Sequence, residues 1–190
     1  MPPSLPLIAI VGRPNVGKST LFNRLIGQRR SIVTDEPGIT RDRIYGIVSW
    51  HGRSYEIVDT GGIIPGEETE IPRGIFEQAQ VAIESASLIL LVLDGRTSIT
   101  ASDLELVRLL RRTAKPTFVV VNKIDSEKQA AEVSDFYRLG IDHVFPVSAE
   151  HGRGITELLD EVAISMPASL DAEVEVRGEI RVAIIGRPNV

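Results

Sequence analysis

The sequence predicts an α/β fold: a mostly parallel six-stranded sheet with one antiparallel edge strand and helices on both faces. Three observations carry this. The apolar runs Leu7–Val11, Leu88–Leu93 and Thr117–Val121 are continuous rather than alternating, so both faces of those strands must be covered. Segments of helical pattern, at roughly 72–86, 101–113, 127–139 and 154–165, lie between and after them; strand–helix alternation is the signature of a doubly wound sheet. Residues 43–50 and 53–58 are strand-like and separated only by His51-Gly52, a two-residue hairpin turn that makes one neighbouring pair antiparallel.

Taken in order, Leu7–Val11 is a buried strand and Gly17–Leu25 the helix after it. Residues 27–42 lack periodicity and read as a long loop, the kind that is usually functional. The hairpin follows, then a helix over 72–86, the strand Leu88–Leu93, the helix 101–113, the strand Thr117–Val121, the helix 127–139, a short strand Val144–Val147 and a last helix over 154–165. Beyond Pro167 the pattern stops. Residues 167–180 hold Asp171, Glu173, Glu175 and Glu179 against Arg177, four negative charges to one positive, and read as an acidic linker.

Composition narrows the functions. There is no cysteine, which excludes a disulfide framework, a thiolate metal site and a cysteine nucleophile. The formal net charge is −5, whereas a free-standing nucleic-acid binder is usually basic; no DNA partner is expected. The longest strongly apolar stretch, Leu88–Leu93, is six residues, against the roughly 20 a membrane helix needs. A cytoplasmic protein with no membrane partner is the expectation. His51, His143 and His151 show no metal-ligand spacing, and Trp50 reads as packing.

The chemistry lies in Gly12-Arg13-Pro14-Asn15-Val16-Gly17-Lys18-Ser19. It fits the GxxxxGK[ST] phosphate loop, with a strand before and a helix after. Gly12 and Gly17 let the backbone turn tightly so that successive N–H groups point inward. The helix start adds its positive dipole end. Lys18 supplies a cation for the terminal phosphates and Ser19 a hydroxyl for Mg²⁺. Other segments choose the nucleotide. Asp59-Thr60-Gly61-Gly62 ends a strand, where Asp59 can hold Mg²⁺ through water and Gly62 can bring an N–H to a γ-phosphate. Asn122-Lys123-Ile124-Asp125 ends another. The Asp125 carboxylate can accept guanine's ring N–H and exocyclic amine, an arrangement adenine does not offer; this argues against an ATP-using enzyme. Ser148-Ala149 can offer backbone N–H groups to the guanine carbonyl oxygen. All of these sit at the C-terminal ends of parallel strands, where open α/β sheets bind ligands.

One internal repeat adds to this. IAIVGRPNV at 8–16 recurs as VAIIGRPNV at 182–190, identical at seven of nine positions and offset by 174 residues. That spacing is about one domain plus a linker. The expected organisation is a first nucleotide-binding domain over 5–166, the linker 167–180, and the opening of a second such domain over 181–190.

These residues resemble the translation-factor-like small GTPases, of Ras-like fold. Two GRPNV phosphate loops in one chain narrow the resemblance to the bacterial double-domain GTPase family Der, also called EngA. It covers 5–165 and the restart at 181–190. The resemblance implies GTP as substrate, GDP as product, and Mg²⁺ as cofactor. It implies nucleotide contacts from Gly12, Arg13, Pro14, Asn15, Val16, Gly17, Lys18, Ser19 and Thr20, and from Asp59, Gly62, Asn122, Lys123, Asp125, Ser148 and Ala149. It makes Thr40, in Pro37-Gly38-Ile39-Thr40-Arg41-Asp42, the switch threonine that meets Mg²⁺ and the γ-phosphate. It implies as partners a second GTPase domain, a KH-like domain and the large ribosomal subunit, in whose assembly the family acts. Many relatives in the wider class place a glutamine just after DxxG to orient water; here Ile63 stands there, and water must be positioned by other atoms. The resemblance also suggests that Asn15 binds K⁺ beside the β- and γ-phosphates. With Lys18, Thr40 and Gly62 it completes the expected catalytic set. A different reading, a guanine-nucleotide sensor with negligible hydrolysis of its own, follows from the missing glutamine.

Overall fold

The computed structural model describes residues 5–27, 44–60 and 83–166. Its elements are β1 (Leu7–Val11), α1 (Lys18–Ile26), β2 (Ile44–Trp50), β3 (Arg53–Asp59), β4 (Leu88–Asp94), α2 (Ala101–Arg111), β5 (Thr117–Asn122), α3 (Glu127–Ala131), a 3₁₀ segment (Glu132–Leu139), β6 (Val144–Pro146) and α4 (Ile155–Ser165). The strands form one six-stranded sheet in the order β2-β3-β1-β4-β5-β6. Only β2 runs antiparallel, at the edge and against β3. The expected fold class is what the chain adopts.

Period-two alternation builds two cores from the same strands. Ile8 and Ile10 of β1, with Leu88, Leu90 and Val92 of β4 and Phe118 and Val120 of β5, face α1 and α4 through Leu21, Leu25, Leu158 and Val162. Their neighbours Ala9, Val11, Ile89, Leu91, Leu93, Val119 and Val121 face the other way, onto Leu106, Val107 and Leu110 of α2 and onto the 3₁₀ segment. All seven residues of β4 are buried. This is why its run is continuous: it has no solvent face to mark with polar residues.

Two local details come from backbone chemistry. His51 and Gly52 both have positive φ, 47° and 76°, as a type I′ hairpin turn requires. The helix expected over 127–139 is instead a short α turn followed by eight residues of 3₁₀ helix. The reason is legible afterwards. Val133, Phe136 and Leu139 are buried at intervals of three, and in a 3₁₀ helix residues i and i+3 lie directly above one another. Capping also differs between helices. Thr100 caps α2 in a reciprocal box with Asp103, whereas Gly17 begins α1 in the left-handed conformation with no side-chain cap and no acid in the first turn.

The expected 27–42 loop (past Gly27), the helical pattern over 72–82, Thr40, Gly62, Ile63, the linker 167–180 and the repeat at 182–190 lie outside the described residues.

Candidate nucleotide-binding site

Five strand ends on one edge of the sheet contribute to the site: the loop after β1, Asp59 of β3, Asp94 of β4, Asn122 of β5 with the residues after it, and Ser148-Ala149 beyond β6. Parallel pairing sets their level. Ile10 is in register with Asp59, and Asp94 with Asn122.

The phosphate loop is shaped by close packing beneath it. A Cβ on Gly12 would lie 2.4 Å from the Val92 carbonyl oxygen; one on Gly17, at φ 95°, would lie 2.3 Å from Asn122 Nδ2. Asn15 also takes a positive φ, 64°, which asparagine tolerates better than most residues. Val16 is buried while Pro14, Asn15, Ser19 and Thr20 face solvent. The first-turn N–H groups of α1, free of any capping side chain, are the donors that an anion at a helix start uses.

Lys18 is buried at 8% exposure and donates one hydrogen bond to the Arg13 carbonyl at 2.8 Å. An ammonium has three donors, so two remain for phosphate oxygens. Burial pushes its pKa below the usual lysine range; the Asp59 carboxylate opposes that shift and the Arg13 charge adds to it. Asp59 itself is fully buried at the end of β3. Among the described residues no three His, Cys, Asp or Glu cluster to cage a metal. A hydroxyl at Ser19, a carboxylate at Asp59 and phosphate oxygens are the donor set that suits Mg²⁺, which is bound by few protein ligands plus substrate. Asn15 is exposed to solvent, and its amide oxygen is an acceptor.

The base end is tied to the phosphate end by two side chains. Asn122, 3% exposed, donates to the Val16 carbonyl at 2.9 Å and accepts from the Ala149 N–H at 3.0 Å. Lys123 donates to the Asn15 carbonyl and to Asp94 Oδ2, each at 2.7 Å. Arg24, in the last turn of α1, donates to the carbonyls of Ala149, at 2.7 Å, and Glu150. A cleft of about 110 Å³ lies between the ends, lined by Gly17, Thr20, Arg96, Asn122, Lys123, Asp125, Ser148 and Glu150. Asp125 Oδ1 accepts from Ser148 Oγ at 2.7 Å, and Oδ2 from the Arg96 guanidinium at 2.6 Å. These two hydrogen bonds hold its carboxyl below the usual range.

Several sequence-based expectations change in detail. Arg13 does not turn its side chain to the cleft: it donates to Thr97 Oγ1 at 2.7 Å and lies 3.5 Å from Asp103. A buried aspartate at the α2 cap is a stronger attraction than solvent, so Arg13 serves the loop through its carbonyl. The N–H groups of Ser148 and Ala149, expected to meet guanine's carbonyl oxygen, instead donate to the Arg153 carbonyl and to Asn122 Oδ1. Asn122 is buried with both amide ends paired, and so acts as a brace. Asp94 reads in sequence as a strand-ending residue. It proves to be an anchor: burial raises its pKa, and hydrogen bonds from Lys123 and the Arg96 N–H outweigh that and lower it. Its one signal in sequence is an acid at the same strand end as the other site residues. Arg24 and Arg96 carry no such signal.

The fold and the phosphate loop define the class: a phosphate-loop GTPase domain. A family model described as "50S ribosome-binding GTPase" matches residues 7–123, more than half the chain, and the chain belongs to that family. It is 51% identical over 186 residues to GTPase Der of Brevibacillus brevis and 49% identical to GTPase Der of Geobacter metallireducens, in each case over 98% of this chain. The resemblance to the first GTPase domain of Der is thereby shown. The chain spans 42% of the length of these relatives. Among solved structures it is similar to Era bound to MgGDPNP and nucleotides 1506–1542 of 16S ribosomal RNA (TM-score 0.70, 30% identity, 87% of this chain and 58% of that one). It is also similar to Aquifex aeolicus Era bound to GDP and AlF₄⁻ (TM-score 0.69, 29% identity, 86% and 57%). No helix among the described residues is long and apolar enough to cross a membrane.

Proposed function

We propose that this domain binds GTP in the cleft between the phosphate loop and Asp125, hydrolyses it slowly, and reports the γ-phosphate through Thr40 and Gly62. The observation that carries the reading is the double tie between the ends of the site. Asn122 and Lys123 sit three and two residues before the guanine-selecting carboxylate and hydrogen-bond the phosphate-loop carbonyls of Val16 and Asn15. Two side chains therefore fix the phosphate loop to the strand end that carries Asp125.

In the reaction water attacks the γ-phosphorus, its bond to the β,γ-bridging oxygen breaks, and GDP and phosphate leave. The chain's part is positioning and charge neutralisation. The loop N–H groups and two Lys18 donors meet the β- and γ-oxygens. Ser19, Thr40 and, through water, Asp59 would hold Mg²⁺, which neutralises charge on those oxygens when bound. Asn15 would hold K⁺, adding positive charge where some relatives insert an arginine. With Ile63 in place of a water-orienting glutamine, backbone atoms must place the nucleophile. Turnover by the domain alone is then on the order of 10⁻⁴ to 10⁻³ s⁻¹, the range of slow intrinsic GTPases.

Residues 5–166 are the first GTPase domain of a tandem protein, 167–180 its acidic linker and 181–190 the opening of the second. The repeated GRPNV string and the 42% span of the relatives support this. The GTP state reported through Thr40 and Gly62 would be read by the second GTPase domain, a KH-like domain and the large ribosomal subunit, in the cytoplasm. The family's description as ribosome-binding supports that partner.

Single-turnover GTP hydrolysis in K⁺ and in Na⁺ at matched ionic strength tests the catalytic reading. A K⁺-specific rise that Asn15→Asp alters supports it. Equal rates in the two salts reject the K⁺ role. Tight GTP binding with no hydrolysis in either salt replaces the enzyme with a sensor, the reading that the missing glutamine favours.

A further inference from the structure

Arg96 lies on the rim of the cleft, two residues beyond β4, and nothing in the reading above uses it. Its backbone is set first: its N–H donates to Asp94 Oδ1 at 2.9 Å, and Asp94 is in turn held by Lys123 at 2.7 Å. From there the side chain crosses to Asp125 Oδ2 at 2.6 Å. The other Asp125 oxygen is taken by Ser148 Oγ at 2.7 Å.

The chemistry of this contact is specific. Guanine meets a carboxylate with two adjacent N–H donors in one plane, its ring N–H and its exocyclic amine. A guanidinium is also planar and delocalised, and it also offers adjacent N–H donors in a fork that matches a carboxylate. Arg96 uses one arm of that fork, Nη2 on Oδ2, and so takes up one of the two oxygens that the base edge would pair with. A base pairing with both oxygens draws on the oxygen that Arg96 holds, so the two contacts compete for the same acceptor. Arg96 can also leave: its side chain is 55% exposed and runs on a long flexible stem.

We propose that Arg96 is an internal competitor for the guanine-selective carboxylate, occupying Asp125 until guanine displaces it. This rests on Asp125 being the guanine acceptor. Binding then draws only on the fraction of molecules in which Arg96 has swung out, and apparent affinity falls by that fraction. While Arg96 is in place the carboxylate has a cationic partner, and the hydrogen bonds from Ser148 and Arg96 together lower its pKa. The competition is weak because the pair is exposed, so the domain gives up a modest amount of affinity and stays able to exchange nucleotide.

The test is stopped-flow binding of fluorescent GDP to the 190-residue chain and to Arg96→Gln, at low and high salt. Arg96→Gln should bind GDP roughly two- to fivefold more tightly at low salt, in line with what exposed ion pairs contribute, through faster association. Loss of a positive charge would by itself slow the approach of an anion, so the expected sign opposes simple attraction. The gap should close at high salt, which screens exposed charges. Unchanged or weaker binding at low salt overturns the proposal. Two controls separate it from the reading beneath it. Wild-type chain without preference for GDP over ADP, or GDP affinity unmoved by Asp125→Asn, sinks the guanine role of Asp125 itself. Intact GDP selectivity with an inert Arg96→Gln sinks only the competitor. In the Asp125→Asn background, where the anionic partner is gone, Arg96→Gln should not change binding of xanthosine diphosphate; an equal gain there would mean that Arg96 acts elsewhere.

Discussion

The phosphate end and the base end of the cleft are built by opposite means. At the phosphate end the backbone does the shaping. A Cβ on Gly12 or Gly17 would lie only 2.4 or 2.3 Å from Val92 or Asn122, and the charged side chains Lys18 and Asp59 are both buried. At the base end the N–H groups of Ser148 and Ala149 are engaged within the protein, and the carboxylate proposed to select the base, Asp125, has one buried partner, Ser148, and one exposed partner, Arg96. Between them stand Asn122 and Lys123. The difference teaches that the two tasks have different physical needs. Phosphate is common to every nucleotide and carries dense charge, so a fixed, pre-formed nest suits it. Discrimination between bases is a difference between affinities, and a few directional side-chain bonds supply it without adding to the grip on phosphate.

That contrast can be broken from either side. The largest expected effect is at the phosphate end. Lys18→Ala removes the buried cation proposed to meet the terminal phosphates, and single-turnover hydrolysis should fall by roughly 100- to 1,000-fold, for GTP and for any other triphosphate alike. A loss confined to guanine nucleotides would contradict the division of labour.

Next is Asp125→Asn. It exchanges an acceptor pair for one acceptor and one donor, and should weaken GDP by about 100-fold while improving xanthosine diphosphate, whose carbonyl stands where guanine carries its amine. Phosphate-end contacts should be untouched, so competition by inorganic pyrophosphate should not change. Equilibrium titrations with the three ligands decide it.

The smallest effect sharpens the structural half of the comparison. Gly12→Ala places a methyl group against the Val92 carbonyl oxygen, a backbone atom inside β4 that cannot move aside cheaply. The fold should lose about 1–3 kcal/mol, read by urea unfolding without ligand, and GDP and ADP affinity should fall in parallel. Unaltered stability would mean that the loop is not held as tightly against β4 as the distances state.

Much of this was legible in the sequence because it is local. Continuous apolar runs as short as Leu7–Val11, Leu88–Leu93 and Thr117–Val121 read as strands covered on both faces because they are too short for core helices, and the edge hairpin follows from two residues that accept positive φ. The phosphate loop is legible for the same reason: glycines at two fixed positions, a lysine and a hydroxyl, between a strand and a helix. The 3₁₀ segment shows the limit. Val133, Phe136 and Leu139 fit a three-residue period, but three apolar residues in eight also fit an α-helix, and only contact with the sheet chooses.

What the tertiary structure alone decided is the assignment of partners. The sequence placed Asn122 at the nucleotide, yet a side chain 106 residues from the Val16 carbonyl and 27 from the Ala149 N–H can brace both only after β1, β5 and β6 have come into register. Arg13 could not be told from a phosphate ligand until Asp103, buried at the start of α2, stood 3.5 Å away. Arg96 carried no signal at all, since its meaning lies wholly in the carboxylate it faces. Backbone conformation is written in neighbouring residues, where sterics act over one or two bonds. The pairing of charges and hydrogen bonds depends on distances through space, and those exist only once the sheet has closed.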